Sequence, residues 1–417
     1  MTIVGKTRLT ATVGIWGLWV ATGEANAVTL GAEAAATVGA TDNANASLSG
    51  EAKADAFISG RVGGRALWVL PSGSHALTAS ADVSTFLRGT RGTFTQEQVG
   101  WTTKIEPTGR STLALSAGLL HGRLGFLDAA PSVNAAQPDS QARPAGAISY
   151  GALLLREEFA WAPTPKWRSS QALSAAGFTP LEENAGRPHS WAVDNELGLF
   201  RVFGLNQFGA NARAGYARNS GVERNGVQLT PERGLTYGDA NGVWKRSWTE
   251  QWSSDVGAGL FLAKADGQDV IGGPGGRVQG QYRDPDLITV TASAERRVQA
   301  NVYLGDALVT EGVNLQLQRS IGKFQEWSLT LFGGYQRSRA VSEDSLYGNL
   351  AVLYARAGLA YDNQGSFRWS IDYLLSDQSI DRNTPEAMAA VSFSRNILSA
   401  TLVYRWPAPR SVRGVPP

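Results

Sequence analysis

The sequence predicts an all-β fold, a transmembrane antiparallel β-barrel of about 18 strands (16 to 18) preceded by a cleaved signal peptide. Three observations carry that expectation. Apolar and polar residues alternate with a period of two, as in the closing stretch, where Leu398, Ala400, Leu402, Tyr404 and Trp406 share one face and Ser399, Thr401, Val403 and Arg405 the other. No run beyond the N-terminus is apolar for the ~20 residues of a spanning helix, and mean hydropathy is only −0.17, as expected when alternate residues alone face lipid. Turn chemistry then divides the chain into segments whose connections alternate between short and long.

The N-terminus reads as an export signal. Lys6 and Arg8 give a positive start, Leu9 to Thr22 is apolar, and Ala25-Asn26-Ala27 is a small-x-small cleavage site. The expected organisation is a signal peptide over 1–27, a barrel over 28–406 and a periplasmic C-terminal tail over 407–417. With no cysteine, the chain offers no disulfide framework, thiolate metal site or lipid-modified cysteine, and anchoring falls to the barrel itself. No cofactor or metal is expected. A formal net charge of +2 gives no basic excess for nucleic acid.

Strands are expected near 28–40, 56–70, 75–88, 94–106, 111–126, 148–162, 167–180, 190–204 and 208–219. They continue near 236–248, 252–264, 276–284, 287–300, 308–321, 327–341, 347–361, 367–380 and 387–406. Short turns fall at Pro71-Ser72-Gly73-Ser74, Pro107-Thr108-Gly109, Pro163 to Lys166, Leu205-Asn206-Gln207, Thr249-Glu250-Gln251, Asp284-Pro285-Asp286, Lys323 to Glu326 and Asp362 to Gly365. Longer connections span 127–147, 181–189, 220–235 and 265–275. Outer-membrane barrels have short periplasmic turns and longer external loops, so the first set is assigned to the periplasm. Arg395-Asn396 could instead be a tight turn that splits the last strand; an even strand count favours one long strand. Sixteen strands result if a weak one such as 236–248 is discounted.

Aromatic residues gather beside the short turns: Trp68, Trp161, Trp167, Phe203, Phe208, Trp248, Trp252, Trp327, Phe367, Trp369 and Trp406. Amphipathic rings favour the headgroup level, so these are read as a membrane girdle. A soluble sandwich would bury its tryptophans mid-strand.

Parity then sorts the charges. Placing Ile58, Val62, Ala66 and Trp68 toward lipid turns Arg61 and Arg65 inward. The same operation sends Asp82, Lys104, Asp194, Glu196, Arg213, Glu295, Arg297, Arg356, Arg368 and Asp372 to the lumen, with Thr289, Thr291, Asn314, Gln316 and Gln318. An Arg or Lys on the lipid face at mid-depth costs roughly 2 to 4 kcal/mol, which makes parity informative. Such charges either stiffen the wall as ion pairs or line a solute path. Phe86, Phe332 and Tyr354 also point inward, where they either fill space or stack on sugar rings. Loop 127–147 is the longest candidate for an internal constriction, although a surface position is the commoner one.

Catalytic chemistry is not expected. His75, His121 and His189 sit near strand ends or in loops, and Ser116 and His121, five apart, fall on opposite faces of a strand. Glu157-Glu158 and Glu182-Glu183 diverge rather than pair and are read as rim or loop solvation. Gly272-Gly273-Pro274-Gly275-Gly276 lacks the Lys-Ser/Thr of a phosphate loop and reads as a flexible external turn.

A first strand of small residues leading to Thr41-Asp42-Asn43-Ala44-Asn45, hairpins with Pro/Gly turns and the closing Leu402-Val403-Tyr404-Arg405-Trp406 give the chain a resemblance. It resembles the β-barrel porins of Gram-negative bacteria found with exopolysaccharide synthesis and export systems. The tail Pro407 to Pro417 departs from a pattern that ends at the terminal aromatic. The resemblance implies an outer-membrane location, a polysaccharide chain as cargo, a periplasmic polysaccharide-export protein as partner, and insertion by the barrel assembly machinery. Two other readings compete: a general diffusion porin for small solutes, and a structural or adhesive surface barrel. A smooth bore lined by aromatics favours export, a constriction of opposed charges favours a porin, and a packed lumen favours the structural option.

Overall fold

The structure, a computed structural model, describes residues 27–45, 51–90, 92–124, 148–181, 188–224, 227–284, 287–322, 325–343, 345, 348–362, 365–380 and 392–407. The expected signal peptide, loop 127–147, Glu182-Glu183 and the tail beyond Pro407 lie outside them.

The strands are β1 (Ala27–Thr41), β2 (Asp55–Leu70), β3 (Gly73–Phe86), β4 (Phe94–Thr108), β5 (Ser111–Leu124), β6 (Ile148–Thr164), β7 (Trp167–Pro180), β8 (Ser190–Phe203) and β9 (Asn206–Asn219). A two-stranded ribbon follows, β10 (Val222–Arg224) and β11 (Val227–Thr230). The wall resumes with β12 (Arg233–Ser247), β13 (Trp252–Ala265), β14 (Ile271–Asp284), β15 (Ile288–Asn301), β16 (Asp306–Ile321), β17 (Trp327–Ala340), β18 (Asn349–Asp362), β19 (Phe367–Ile380) and β20 (Phe393–Trp406). Each wall strand pairs antiparallel with the next, β9 passes to β12, and β1 pairs with β20 from Ala32↔Trp406 to Thr41↔Ile397. The eighteen-stranded sheet closes on itself, with β14 left unpaired on its β15 side over Ile271–Gly275.

The faces follow from register. Val28, Leu30 and Val38 of β1 lie opposite Trp68, Ala66 and Ile58 of β2. Val62, Leu260, Val313, Leu315 and Leu398 are each about half exposed or more, at 61, 66, 53, 55 and 56%. A greasy outside of this kind suits hydrocarbon, not water. Trp191 and Phe203 both face outward on β8, twelve residues apart. At ~3.3 Å per residue and a tilt of ~40° they stand roughly 30 Å apart along the axis, the thickness of a bilayer core.

One sequence expectation is corrected. Gly272 to Gly276 is no external turn: it forms the first part of β14, with Pro274 opposite Leu260 of β13. Arg395 and Asn396 both lie within β20, so the last wall strand is not split there, in line with the single strand expected. The correction has a physical cause. β14 and β15 pair only from Gly276↔Arg296 to Asp284↔Ile288, so above Gly276 the strand has no β15 partner. Proline is tolerated on such an unpaired margin, and four glycines weaken the pairing further.

Beyond Arg296, β15 leaves the wall and carries the β15–β16 hairpin into the lumen. Val298, of outward parity, is fully buried with Leu235, Tyr237, Phe261 and Ala263 of β12 and β13. On its other side, Leu304 and Leu308 pack against Leu350, Val352, Tyr354 and Ile380 of β18 and β19. Enclosing an aliphatic side chain contributes roughly 1.5 to 3 kcal/mol, against about 1 kcal/mol for a ladder hydrogen bond. Exchanging a Gly-Pro ladder for this packing is favourable. The barrel's apolar core thus sits inside its external mouth.

Candidate functional site

The lumen has two zones. Its external end is apolar and narrowed by the β15–β16 hairpin. Toward the short-turn end its inward residues are polar.

The hairpin is held to the far wall by specific contacts. Asn301 anchors the tip turn by accepting from the amides of Tyr303 and Leu304, both at 3.1 Å. Tyr303 reaches Phe178 of β7, ring centroids 5.5 Å apart, and Phe178 stacks on Tyr150 of β6 at 5.6 Å. The Ser190 hydroxyl donates to the Val302 carbonyl, the Asn219 amide to the Gly305 carbonyl, and Arg213 to the Val298 carbonyl. On the remaining side, Phe57, Phe86, Phe94, Ile397 and Ala44 form a separate cluster. Asn43, fully buried, donates to the Ser394 carbonyl at 2.8 Å.

Below the hairpin lies a belt of charge. Arg213 pairs with Asp239 at 3.0 Å, with both side chains about 10% exposed, and Asp194 stands on the adjacent strand β8. Arg297 and Glu295, 3.4 Å apart, face this group from the hairpin. Elsewhere the wall carries Arg61 between Glu33 at 3.9 Å and Asp82 at 3.8 Å, Arg356 against Asp372 at 2.8 Å, and Lys104 against Glu106 at 3.1 Å. Registers place Arg65, Glu196 and Arg368 on the same inward face. Among these charges the structure joins Arg61 with Asp82, Arg213 with Asp239, Glu295 with Arg297, and Arg356 with Asp372.

The three inward aromatics stand differently from the stacking platform considered for them. Phe86 and Tyr354 are only 4 and 6% exposed. Phe332 stacks on Tyr354 at 5.1 Å and 19°, and Phe86 lies 6.2 Å from Phe57. Their faces are taken up by packing, so they fill space in this conformation. The β15–β16 hairpin narrows the bore, and loop 127–147, considered as a constriction from the sequence, lies outside the described residues.

At the short-turn ends, Trp161, Trp167, Trp248, Trp252 and Trp406 are 39 to 59% exposed. They join Tyr282 and Tyr361, which sequence reading missed, and Tyr404, which it placed on the outward face but left out of the girdle. Trp252 meets Tyr282 at 5.0 Å, Trp327 meets Tyr361 at 5.0 Å and Trp369 at 5.2 Å, and Phe367 meets Tyr404 at 5.2 Å. Trp68 stands opposite Val28 and His75 on the same rim. Arg246 lies over Trp248 at 4.1 Å and Arg201 over Phe203 at 4.7 Å. Each cation is thereby set at headgroup depth.

Closed strands, an apolar exterior, an aromatic rim and a water-facing interior together define the outer-membrane architecture. The chain is an outer-membrane β-barrel. No protein-family model matches it, and no curated protein does. Solved structures of similar shape include the siderophore receptor PirA from Pseudomonas aeruginosa, at TM-score 0.43 and 10% identity over 90% of this chain and 80% of that one. OccK2 of the same organism gives TM-score 0.44 and 10% identity over 90% and 98% of the two chains. The alcaligin outer-membrane receptor FauA from Bordetella pertussis gives 0.42 and 10% over 91% and 76%.

The histidines of this barrel are dispersed. His75 bonds Thr103 Oγ1 at 2.7 Å, His121 approaches Glu97 at 3.5 Å, and His189 is exposed beside Ser190. His121 stands opposite Glu97, whereas Ser116 stands opposite Thr102 on the other face. Glu157 and Glu158 lie within β6 rather than in a loop, and Glu158 pairs with Arg156 at 2.5 Å.

Proposed function

We propose that the chain is a passage for small hydrophilic solutes across the outer membrane, narrowed by its β15–β16 hairpin. The observation that carries this reading is the narrowing itself: the hairpin enters a bore whose wall is polar, and the ion pairs Arg213–Asp239 and Arg297–Glu295 lie where it meets that wall. Opposed charges at a narrowing select small polar solutes by transverse field and size, without chemistry.

Export of an exopolysaccharide chain, with a periplasmic export protein as partner, is the second reading. It requires the hairpin to leave the bore. One observation favours that movement: the β14 margin from Ile271 to Gly275 is unpaired and in register to receive residues 297–301. A hairpin that swings out would complete the wall.

Planar-bilayer recordings test the proposal. The intact protein should show small, resolved conductance steps, and a variant with residues 302–305 replaced by a two-glycine turn should show larger ones. Silence from both proteins, when folded and inserted, would overturn it.

A further inference from the structure

We infer that the periplasmic mouth is a ring of unpaired arginines that admits anionic solutes. This rests on the passage reading above and names its substrate class: molecules carrying carboxylate or phosphate groups.

The ring is made by Arg65 on β2, Arg168 on β7, Arg283 on β14 and Arg368 on β19. Counted round the wall, these are the second, seventh, twelfth and seventeenth of the eighteen strands. The arginines are therefore distributed around the circumference. All four face the lumen by register: Arg65 opposite Thr78, Arg168 opposite Phe200, Arg283 opposite Thr289 and Arg368 opposite Asp362.

Depth is fixed by the rim aromatics. Each arginine lies within three residues of an outward ring on its own strand: Arg65 of Trp68, Arg168 of Trp167, Arg283 of Tyr282 and Arg368 of Trp369. The four guanidinium groups thus crown the short-turn end of the bore.

All four residues are exposed and, among the described residues, none has an ion pair or hydrogen bond through its side chain. The inward carboxylates at the same level are already matched. Glu106 holds Lys104, Glu158 holds Arg156, Asp255 holds Lys245 and Arg277, and Asp362 holds Arg405. The crown's charge is therefore uncancelled locally. That differs from the constriction, where opposite signs face each other.

A low-dielectric wall focuses such a field into the opening and raises the local concentration of counter-charged solute, with entry rates up by about 10 to 1,000-fold. Guanidinium is suited to the task. It stays charged at any physiological pH and offers a planar fork that matches carboxylate and phosphate oxygens. An exposed arginine at the mouth also remains hydrated, so capture is weak and release into the bore is fast.

The test uses the intact protein and the variant R65Q/R168Q/R283Q/R368Q, with folding checked by the heat-dependent shift of the barrel on gels. Under a KCl gradient the wild type should be anion-selective, and the quadruple variant should conduct with its reversal potential moved toward zero or to the cation side. The difference should be larger at ~0.1 M than at ~1 M salt, as the screening length falls from about 10 to 3 Å. A second readout needs no current. Inorganic tripolyphosphate should bind the detergent-solubilised wild type at low salt and bind the variant about tenfold more weakly or less. Conductance with unchanged selectivity overturns the arginine crown and leaves the passage standing. A silent membrane with lost tripolyphosphate binding overturns the passage and leaves the crown, and equal binding by both proteins overturns the crown outright.

Discussion

Phe178 of β7 and Tyr303 at the tip of the β15–β16 hairpin meet edge to face, with centroids 5.5 Å apart and planes at 68°. They are brought together across the lumen from well-separated strands. An aromatic pair of this geometry is worth roughly 0.5 to 1.5 kcal/mol beyond its buried area. Tyr303→Ala should therefore multiply the population of displaced hairpin by about threefold to tenfold or more. The measurement is channel conductance or liposome swelling with small sugars, and Tyr303→Phe, which keeps the ring, should behave as wild type. Equal permeability of all three proteins would show that the tip holds nothing shut.

Pro274 gives the reciprocal test. It lies opposite Leu260 on the lipid-facing side of β14, just above the point where β15 departs. Pro274→Val restores a backbone donor and places a β-branched side chain toward lipid without entering the lumen. It should draw residues 297–301 back to the wall and raise conductance relative to wild type. Amide exchange offers a direct check: protection should increase over 271–275 and 297–301 together. Protection that rises in neither segment would separate the hairpin's position from β14 pairing.

Most of this architecture was legible in the sequence because lipid and water impose parity on every strand. Each expected segment overlaps one wall strand, the starts of β14 and β20 differing most, and the alternation of Ile58, Val62 and Trp68 with Arg61 and Arg65 assigned faces without any long-range knowledge. The hairpin was not legible, because its driving force is non-local. A signal was nonetheless present. Inward positions turn from polar to apolar at the external end of many strands: Arg61 and Ser59 give way to Phe57, Asp239 to Tyr237 and Leu235, and Arg356 to Tyr354, Val352 and Leu350. An aqueous bore has no use for such a change, whereas something buried in the mouth requires it. Gly272 to Gly276 was the complementary signal, a stretch too weak in strand propensity to hold its neighbour.

The Arg213–Asp239 pair should matter more to the fold than the exposed ion pairs of the wall. Both side chains are about 10% accessible, and removing one member of a buried pair leaves the other charge without compensation, at about 3 to 5 kcal/mol. Arg213→Ala should lower the temperature at which the folded barrel loses its compact gel mobility, and Arg213→Ala with Asp239→Ala should recover part of the loss. Arg156→Ala, which removes a half-exposed partner of Glu158, should change that temperature little, since exposed pairs contribute about 0 to 1 kcal/mol. Equal effects at the two sites would mean that water reaches the Arg213 belt freely.

Neighbouring residues of β16 provide the sharpest check on the faces. Leu315 is 55% exposed and lies between Ala292 of β15 and Gly333 of β17, while Gln316 points into the lumen opposite Thr291 and Phe332. Both stand near mid-depth, five or six residues from the short-turn end of the strand at Ile321. Leu315→Arg should cost roughly 2 to 4 kcal/mol of folding free energy in lipid, because its guanidinium must enter hydrocarbon. Gln316→Arg should cost far less, since the same group meets water and the polar wall. Urea titration of barrels folded into vesicles resolves a difference of this size. A larger penalty at Gln316 than at Leu315 would invert the barrel's inside and outside, and with them every lumen residue named above.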